Sequence, residues 1–101
     1  MQIELSATGG TLVMRLGGHF DFSTRNDFMA RAEEAIARAE TPEIRVDMGG
    51  LDYIDSSALG MLLMMRDKAR KLDKSVSLAG AHGHVRQVID TAQFERLFTV
   101  Y

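Results

Sequence analysis

Apolar residues Ile3, Leu5 and Ala7 alternate with Gln2, Glu4 and Ser6, and Leu12, Met14 and Leu16 alternate again further on. A period of two marks a strand with one face buried. Thr8-Gly9-Gly10 between the runs supplies turn residues, so the chain opens on a β-hairpin, which Gly17-Gly18 closes. The period then lengthens. Phe28, Ala32, Ala35, Ile36 and Ala39 share one helical face after Asp21 or Ser23 as the cap, and Thr41-Pro42 stops the helix. Asp27 with Arg31 and Glu34 with Arg38 are spaced for i,i+4 pairs on its wet side.

Ile44, Val46 and Met48 alternate with Glu43, Arg45 and Asp47 as a third strand, and Gly49-Gly50 releases the chain into Leu51-Asp52-Tyr53-Ile54. After Asp55-Ser56-Ser57, the residues Ala58, Leu62, Met65, Ala69 and Leu72 recur on one helical stripe. Its last turns are cationic, which suits the negative end of the helix dipole. Val76 and Leu78 make a fourth strand ending at Gly80, and Val85, Val88, Ile89 and Ala92 make a third helix. Phe94, Leu97, Phe98, Val100 and Tyr101 form a closing apolar segment, strand or helix. The order β-β-α-β-α-β-α implies an α/β fold, a mixed sheet of four to five strands covered by helices.

Composition narrows the function. The 101 residues suit one domain spanning 1–101, and 46% hydrophobic content fills a core without metal or disulfide staples. Cysteine is absent, so no thiolate nucleophile or Cys-based zinc site is available. The start Met1-Gln2-Ile3-Glu4-Leu5 lacks a signal-peptide pattern, and no apolar run approaches the roughly 18 residues that span a bilayer, so a cytoplasmic location without membrane contact is expected. A net charge of −2 with scattered basic residues argues against nucleic acid.

The candidate chemistry sits at Ile54-Asp55-Ser56-Ser57-Ala58-Leu59-Gly60, where strand gives way to helix. A first helical turn has unpaired N–H groups and the positive dipole end, so phosphate on Ser56, or secondarily on Ser57, is locally tolerated. Asp21, Asp52 and Asp55 would surround it. On a wheel of about 100° per residue, Ser56, Gly60, Leu63 and Asp67 lie opposite the core stripe, leaving Leu63 exposed beside Ser56 and Met64 beside Ser57. Gly60 costs about 1 kcal/mol relative to alanine in a helix, which points to close approach by something at that turn. Met61 and Met64 add a deformable surface. The plainer reading is that Asp55-Ser56-Ser57 only caps the helix and that the methionines only fill the core.

Tyr53-Ile54-Asp55-Ser56-Ser57-Ala58-Leu59-Gly60 resembles the signature of the STAS family, specifically the small bacterial anti-sigma factor antagonists, and Gly18-His19-Phe20-Asp21-Phe22-Ser23-Thr24 resembles a second family segment. Ala58 stands where the family commonly has glycine. The resemblance implies a STAS fold and a partner switch. An ATP-binding serine protein kinase, itself the anti-sigma factor, phosphorylates the serine matching Ser56; the unphosphorylated form binds that kinase and frees its client; a PP2C-type phosphatase restores binding. It further implies that Asp55 lies beside the acceptor, that Asp21 and Thr24 belong to the neighbouring loop and that Ser57 is a secondary acceptor; with Gly60, Leu63 and Met64 from the helix wheel these make the expected partner surface, and no cofactor or metal is expected.

Two rivals remain in view. Ser56, Asp55 and His19, His82 and His84 could form a hydrolytic set, but no Gly-x-Ser-x-Gly elbow is present, and His82-Gly83-His84 reads as a solvated turn. A scaffold or ligand-sensing STAS module is the other. No Gly-rich loop followed by Lys-Ser/Thr supports nucleotide binding by the chain itself.

Overall fold

The computed structural model describes residues 1–38, 40 and 42–101, so the sequence expectations at Ala39 and Thr41 lie outside the described residues. The elements are β1 Gln2–Thr8, β2 Thr11–Phe20, α1 Arg25–Arg38, β3 Glu43–Ile54, α2 Ser56–Arg70, β4 Ser75–Ala79, α3 Gly83–Thr91 and β5 Thr99–Val100. The strands form one sheet in chain order: β1 runs antiparallel to β2, and β2 through β5 run parallel. Each parallel step is bridged by a helix, the connection that parallel neighbours require. The expected mixed α/β sheet is therefore present with five strands. The closing apolar segment is both things, a 3₁₀ turn over Phe94–Arg96 and then β5.

One face of the sheet packs against the helices. Leu12, Met14 and Leu16 of β2, Ile44, Val46 and Met48 of β3, and Val76 and Leu78 of β4 meet Phe28, Ala32, Ala35 and Ile36 of α1, Ala58, Leu62, Met65 and Ala69 of α2, and Val85 and Ile89 of α3. Among the described residues, the helical stripes read from the sequence are thus the buried ones, apart from Val88, which is half-buried against the core, and two exposed residues. Leu72 is 58% exposed, because α2 ends at Arg70 and the chain turns away before reaching it. Ala92 lies just beyond α3 and is exposed. On α1 the wet-side pairing is Arg31 with Glu34 at 2.9 Å, the i,i+3 neighbour instead of the i,i+4 one.

The glycine pairs do not close strands. Both β2 and β3 run through them, and the pairing register shifts between Arg15 and Gly17 and again between Gly18 and His19. A side chain at Gly50 would put its Cβ 2.9 Å from the Leu16 carbonyl oxygen, and Gly18 adopts φ +88°. Glycine is there because the two backbones nearly touch. The irregularity re-aims the strand ends, as bulges do: His19 and Tyr53 turn outward while Phe20 and Ile54 stay in the core.

Residues alternating to the other face form a polar layer. Ser77, only 3% exposed, donates its hydroxyl to Glu43 at 2.6 Å, Arg45 bonds the same carboxylate at 3.2 Å, and the Arg45 guanidinium lies 4.2 Å above the Tyr101 ring. The Ser77 hydroxyl, offset in part by desolvation and aided by Arg45, holds the Glu43 carboxyl below its ordinary 4.5. A depressed folded-state value means this stabilisation is complete above the ordinary value and is lost as pH falls through the folded one. The expected result is that Ser77→Ala destabilises the fold at neutral pH and that the deficit shrinks below pH 4.5. Urea unfolding of both chains at the two pH values measures it, and an equal deficit at both would exclude the Glu43 coupling.

Candidate functional site

Because β2 and β3 are parallel neighbours, they end together. Phe20 pairs with Ile54, and the Asp55 amide donates to the Phe20 carbonyl at 3.3 Å. Asp21 and Asp55 therefore leave the sheet side by side, and each caps the helical turn next to it. Asp55 is the N-cap of α2, accepting from the Ala58 amide at 2.9 Å. Asp21 caps the 3₁₀ turn Phe22–Thr24 that leads into α1, accepting from both the amide and the hydroxyl of Ser23. Thr24 completes this box: its hydroxyl accepts from the Asp21 amide and donates to the Asp21 carbonyl at 2.8 Å. The Ser23 hydroxyl, partly opposed by desolvation, keeps the Asp21 carboxyl below its ordinary value, so it carries full charge at neutral pH.

Ser56 is the first residue of α2 and is exposed; Ser57 is half-buried. The division of labour follows from geometry. The cap is Asp55, which leaves the Ser56 hydroxyl outside the capping bond and open to solvent. Gly60 lies one turn later, also exposed, and a Cβ there would meet nothing within 4 Å. Nothing within the described chain approaches that backbone. Met64 is 37% exposed. Leu63, expected exposed, is half-buried because it leans on the core, and Met61, expected on the surface, is fully buried because it lies close to the core stripe. Asp52 is exposed on β3, three residues before Asp55.

The structure adds residues that periodicity had not singled out. His19 and Tyr53 face each other across β2 and β3 with ring centroids 5.8 Å apart, and Tyr53 stacks on His84 at 5.3 Å and 10°. His84 bonds the Ile54 carbonyl at 3.3 Å, and His82 bonds that of Gly49 at 3.0 Å. The His82-Gly83-His84 stretch is exposed, as expected of a solvated segment before a helix, but α3 already begins at Gly83, and both histidine rings clip the stretch to β3. Phe22, between the Asp21 cap and Ser23, is 68% exposed. The available signal was positional. His19 and Tyr53 each stand two residues before a motif aspartate, and Phe22 is an apolar residue inside a turn with no place on a helical stripe. Between α2 and α3 a groove of about 390 Å³ is lined by Leu59, His84, Gln87, Val88, Thr91 and Ala92. Among the described residues, no three His, Asp or Glu side chains gather as a metal site, and no helix is long and apolar enough to cross a membrane.

The family model "Mlab, STAS domain" matches residues 3–99. A STAS-domain containing protein of Pseudomonas aeruginosa (strain UCBPP-PA14) is 40% identical over 96 residues, covering 94% of this chain and 92% of that protein. The chain belongs to the STAS domain family. An anti-sigma F factor antagonist of Paenibacillus polymyxa is 25% identical over the full chain and 86% of its own length. The STAS fold here matches SpoIIAA, an anti-sigma factor antagonist, in its unphosphorylated form with a TM-score of 0.80 at 22% identity, covering 99% of this chain and 88% of that one. The phosphorylated form of SpoIIAA matches with a TM-score of 0.71 at 21% identity, covering 99% and 91%. Both halves of the STAS signature read from the sequence, around Asp21 and around Ser56, meet at one end of this domain.

Proposed function

We propose that this STAS domain acts as an anti-sigma factor antagonist, a non-catalytic partner switch governed by phosphate on Ser56. In this reading the unphosphorylated chain binds an anti-sigma factor that is also an ATP-binding serine protein kinase, a PP2C-type phosphatase reverses the mark, and the exchange takes place in the cytoplasm. The observation that carries the reading is Ser56, exposed at the mouth of α2, outside the capping bond and directly after Asp55, whose amide is bonded to the residue before Asp21. The names of the Paenibacillus relative and of SpoIIAA support the antagonist class.

The physics of the switch follows from that placement. Phosphorylation adds roughly −1.5 to −2 charges and three acceptor oxygens. The helix N-terminus tolerates it, so the fold persists. The carboxylates and the apolar surface of Met64, Leu63 and Phe22 do not, so a docked partner is excluded by repulsion and desolvation. One pair of unit charges about 6 Å apart is worth on the order of 3 kcal/mol at an effective dielectric near 20, and about 0.7 in bulk-like water. Two acids at the lower figure already change affinity about tenfold. Thr24 enters as the residue that holds Asp21, and Ser57 as a secondary acceptor.

Mass spectrometry of the protein isolated from its own cells tests this reading directly, with phosphate expected on Ser56 and a kinase copurifying with the unmodified form. Protein carrying no phosphate under any condition, including in cells where the kinase is active and the client is held, would point instead to a phosphate-independent scaffold.

Gly60 supplies a separate check. With open space around its Cβ position, Gly60→Ala should raise stability by about 0.5–1 kcal/mol, since alanine is the better helix former. Partner affinity should fall in the same variant, because a methyl group now stands where the partner seats. Thermal unfolding and titration with the partner give the two numbers; unchanged affinity would move the seat away from this turn.

A further inference from the structure

Strand β1 is one edge of the sheet, and among the described residues no strand pairs with its outer side. The edge at the other end, β5, is only two residues long. By contrast β1 runs seven residues, Gln2–Thr8, with Glu4 as its sole charge, no proline, and a pairing to β2 free of register shifts. Edge strands are ordinarily defended by short length, charges, proline or bulges, because their free N–H and C=O groups template another strand. This edge has almost none of those defences.

We propose that β1 pairs antiparallel with β1 of a second copy, about a two-fold axis at Leu5, joining the two sheets into one. The register follows from parity and charge. An axis normal to the sheet keeps both helical layers on one side, so facing residues must point the same way and a residue faces itself at the centre. Centring on Glu4 sets two carboxylates directly opposite each other, which is destabilising. Centring on Ser6 leaves Gln2 and Ile3 unpaired. Centring on Leu5 engages all seven residues: Leu5 faces Leu5, Ile3 faces Ala7, Gln2 faces Thr8 and Glu4 faces Ser6.

That last pairing is electrostatically self-complementary. Arg15 of β2, directly across from Glu4 of its own chain and 3.8 Å from Asp47, also reaches sideways to donate to Ser6 Oγ at 2.8 Å, so its guanidinium lies beside the position that the second copy's Glu4 would occupy as a further carboxylate. The contact occurs twice, once on each side of the axis. The half-buried Ile3 and Leu5, already packed against the core on the helical face, gain cover from the second copy, as does the crevice that Met1 and Ile3 share with Asp27, Ala30 and Arg31 of α1. Ser56 follows β3, two strands in from this edge, so the pair would display two open switch ends. The inference does not depend on phosphorylation.

Sedimentation of the whole chain over a wide concentration range tests the proposal, with a monomer–dimer equilibrium expected. Glu4→Arg and Arg15→Glu should each weaken dimerisation about tenfold, because two attractive contacts become repulsive. Mixing the two variants should restore it. In the mixed pair the new arginine of one copy faces the new glutamate of the other, and the retained Arg15 of the first faces the retained Glu4 of the second. Circular dichroism of each variant confirms that the fold is retained. A chain that is monomeric at every concentration, a dimer indifferent to both substitutions, or variants that fail to complement on mixing would each overturn the Leu5-centred pair.

Discussion

Ser56→Asp is expected to weaken binding of the partner kinase at least tenfold, whereas Ser56→Ala binds as tightly as the native chain. The asymmetry separates charge from shape. Alanine removes a hydroxyl that caps nothing, because Asp55 accepts the Ala58 amide and Asp21 accepts from Ser23, so neither cap notices its loss. Aspartate puts a negative charge at the first position of α2, which the helix itself tolerates. It also adds to Asp21 and Asp55, so a partner must bury or approach a third carboxylate. The folded domain should therefore be equally stable in both variants while affinity diverges. Ser57→Asp is the control: its side chain is half-buried in the first turn of α2, so it should cost stability as well as affinity. Calorimetric titration of all three against the same kinase reads the pattern. Equal binding by Ser56→Asp and Ser56→Ala would place the interface elsewhere on the domain.

Gly50→Ala is expected to be strongly destabilising. Its Cβ would stand 2.9 Å from the Leu16 carbonyl oxygen and 3.3 Å from the Gly17 Cα, both backbone atoms of the neighbouring strand. Flexible side chains can move aside; a central strand cannot. The β2–β3 pairing must open where its register shifts, and that pairing is the one holding Asp21 next to Asp55. A loss of about 2–3 kcal/mol is expected, the range for backbone strain in a packed element. For a domain of this size that lowers Tm by roughly 10–20 °C. Gly60→Ala, with open space around it, is the internal contrast: the same chemical change in a helix is stabilising. Thermal melts of the two variants side by side decide the matter, and a Gly50→Ala protein melting within a degree or two of native would show that the strands separate at little cost.

The Gly50 case shows where reading the sequence stops. A Gly-Gly pair after an alternating run has the appearance of a strand end, since glycine is the usual punctuation of turns. In this fold the pair lies mid-strand, because a parallel neighbour presses its backbone against that spot. The demand for glycine comes from Leu16 and Gly17, distant in sequence, and no local pattern announces it. Leu63 and Met61 teach the same lesson on a helix. A wheel locates the centre of the buried stripe well, as Ala58, Leu62, Met65 and Ala69 show, but its width depends on how far neighbouring elements wrap around.

The hydrophobic periods by themselves determined the order of the first seven strands and helices, the centre of each inward face, and the position of Asp55-Ser56 at a strand-to-helix junction; these are local consequences of periods of two and about 3.6. Tertiary structure alone decided which of the motif residues meet. Asp21 and Asp55 are adjacent because β2 and β3 are parallel and end in register, and the His19, Tyr53 and His84 rings line up because α3 returns to β3. The free edge at β1 likewise exists only once the strand order is known. Pairing partners are chosen by the global packing of the sheet, to which residues far apart in the chain contribute together.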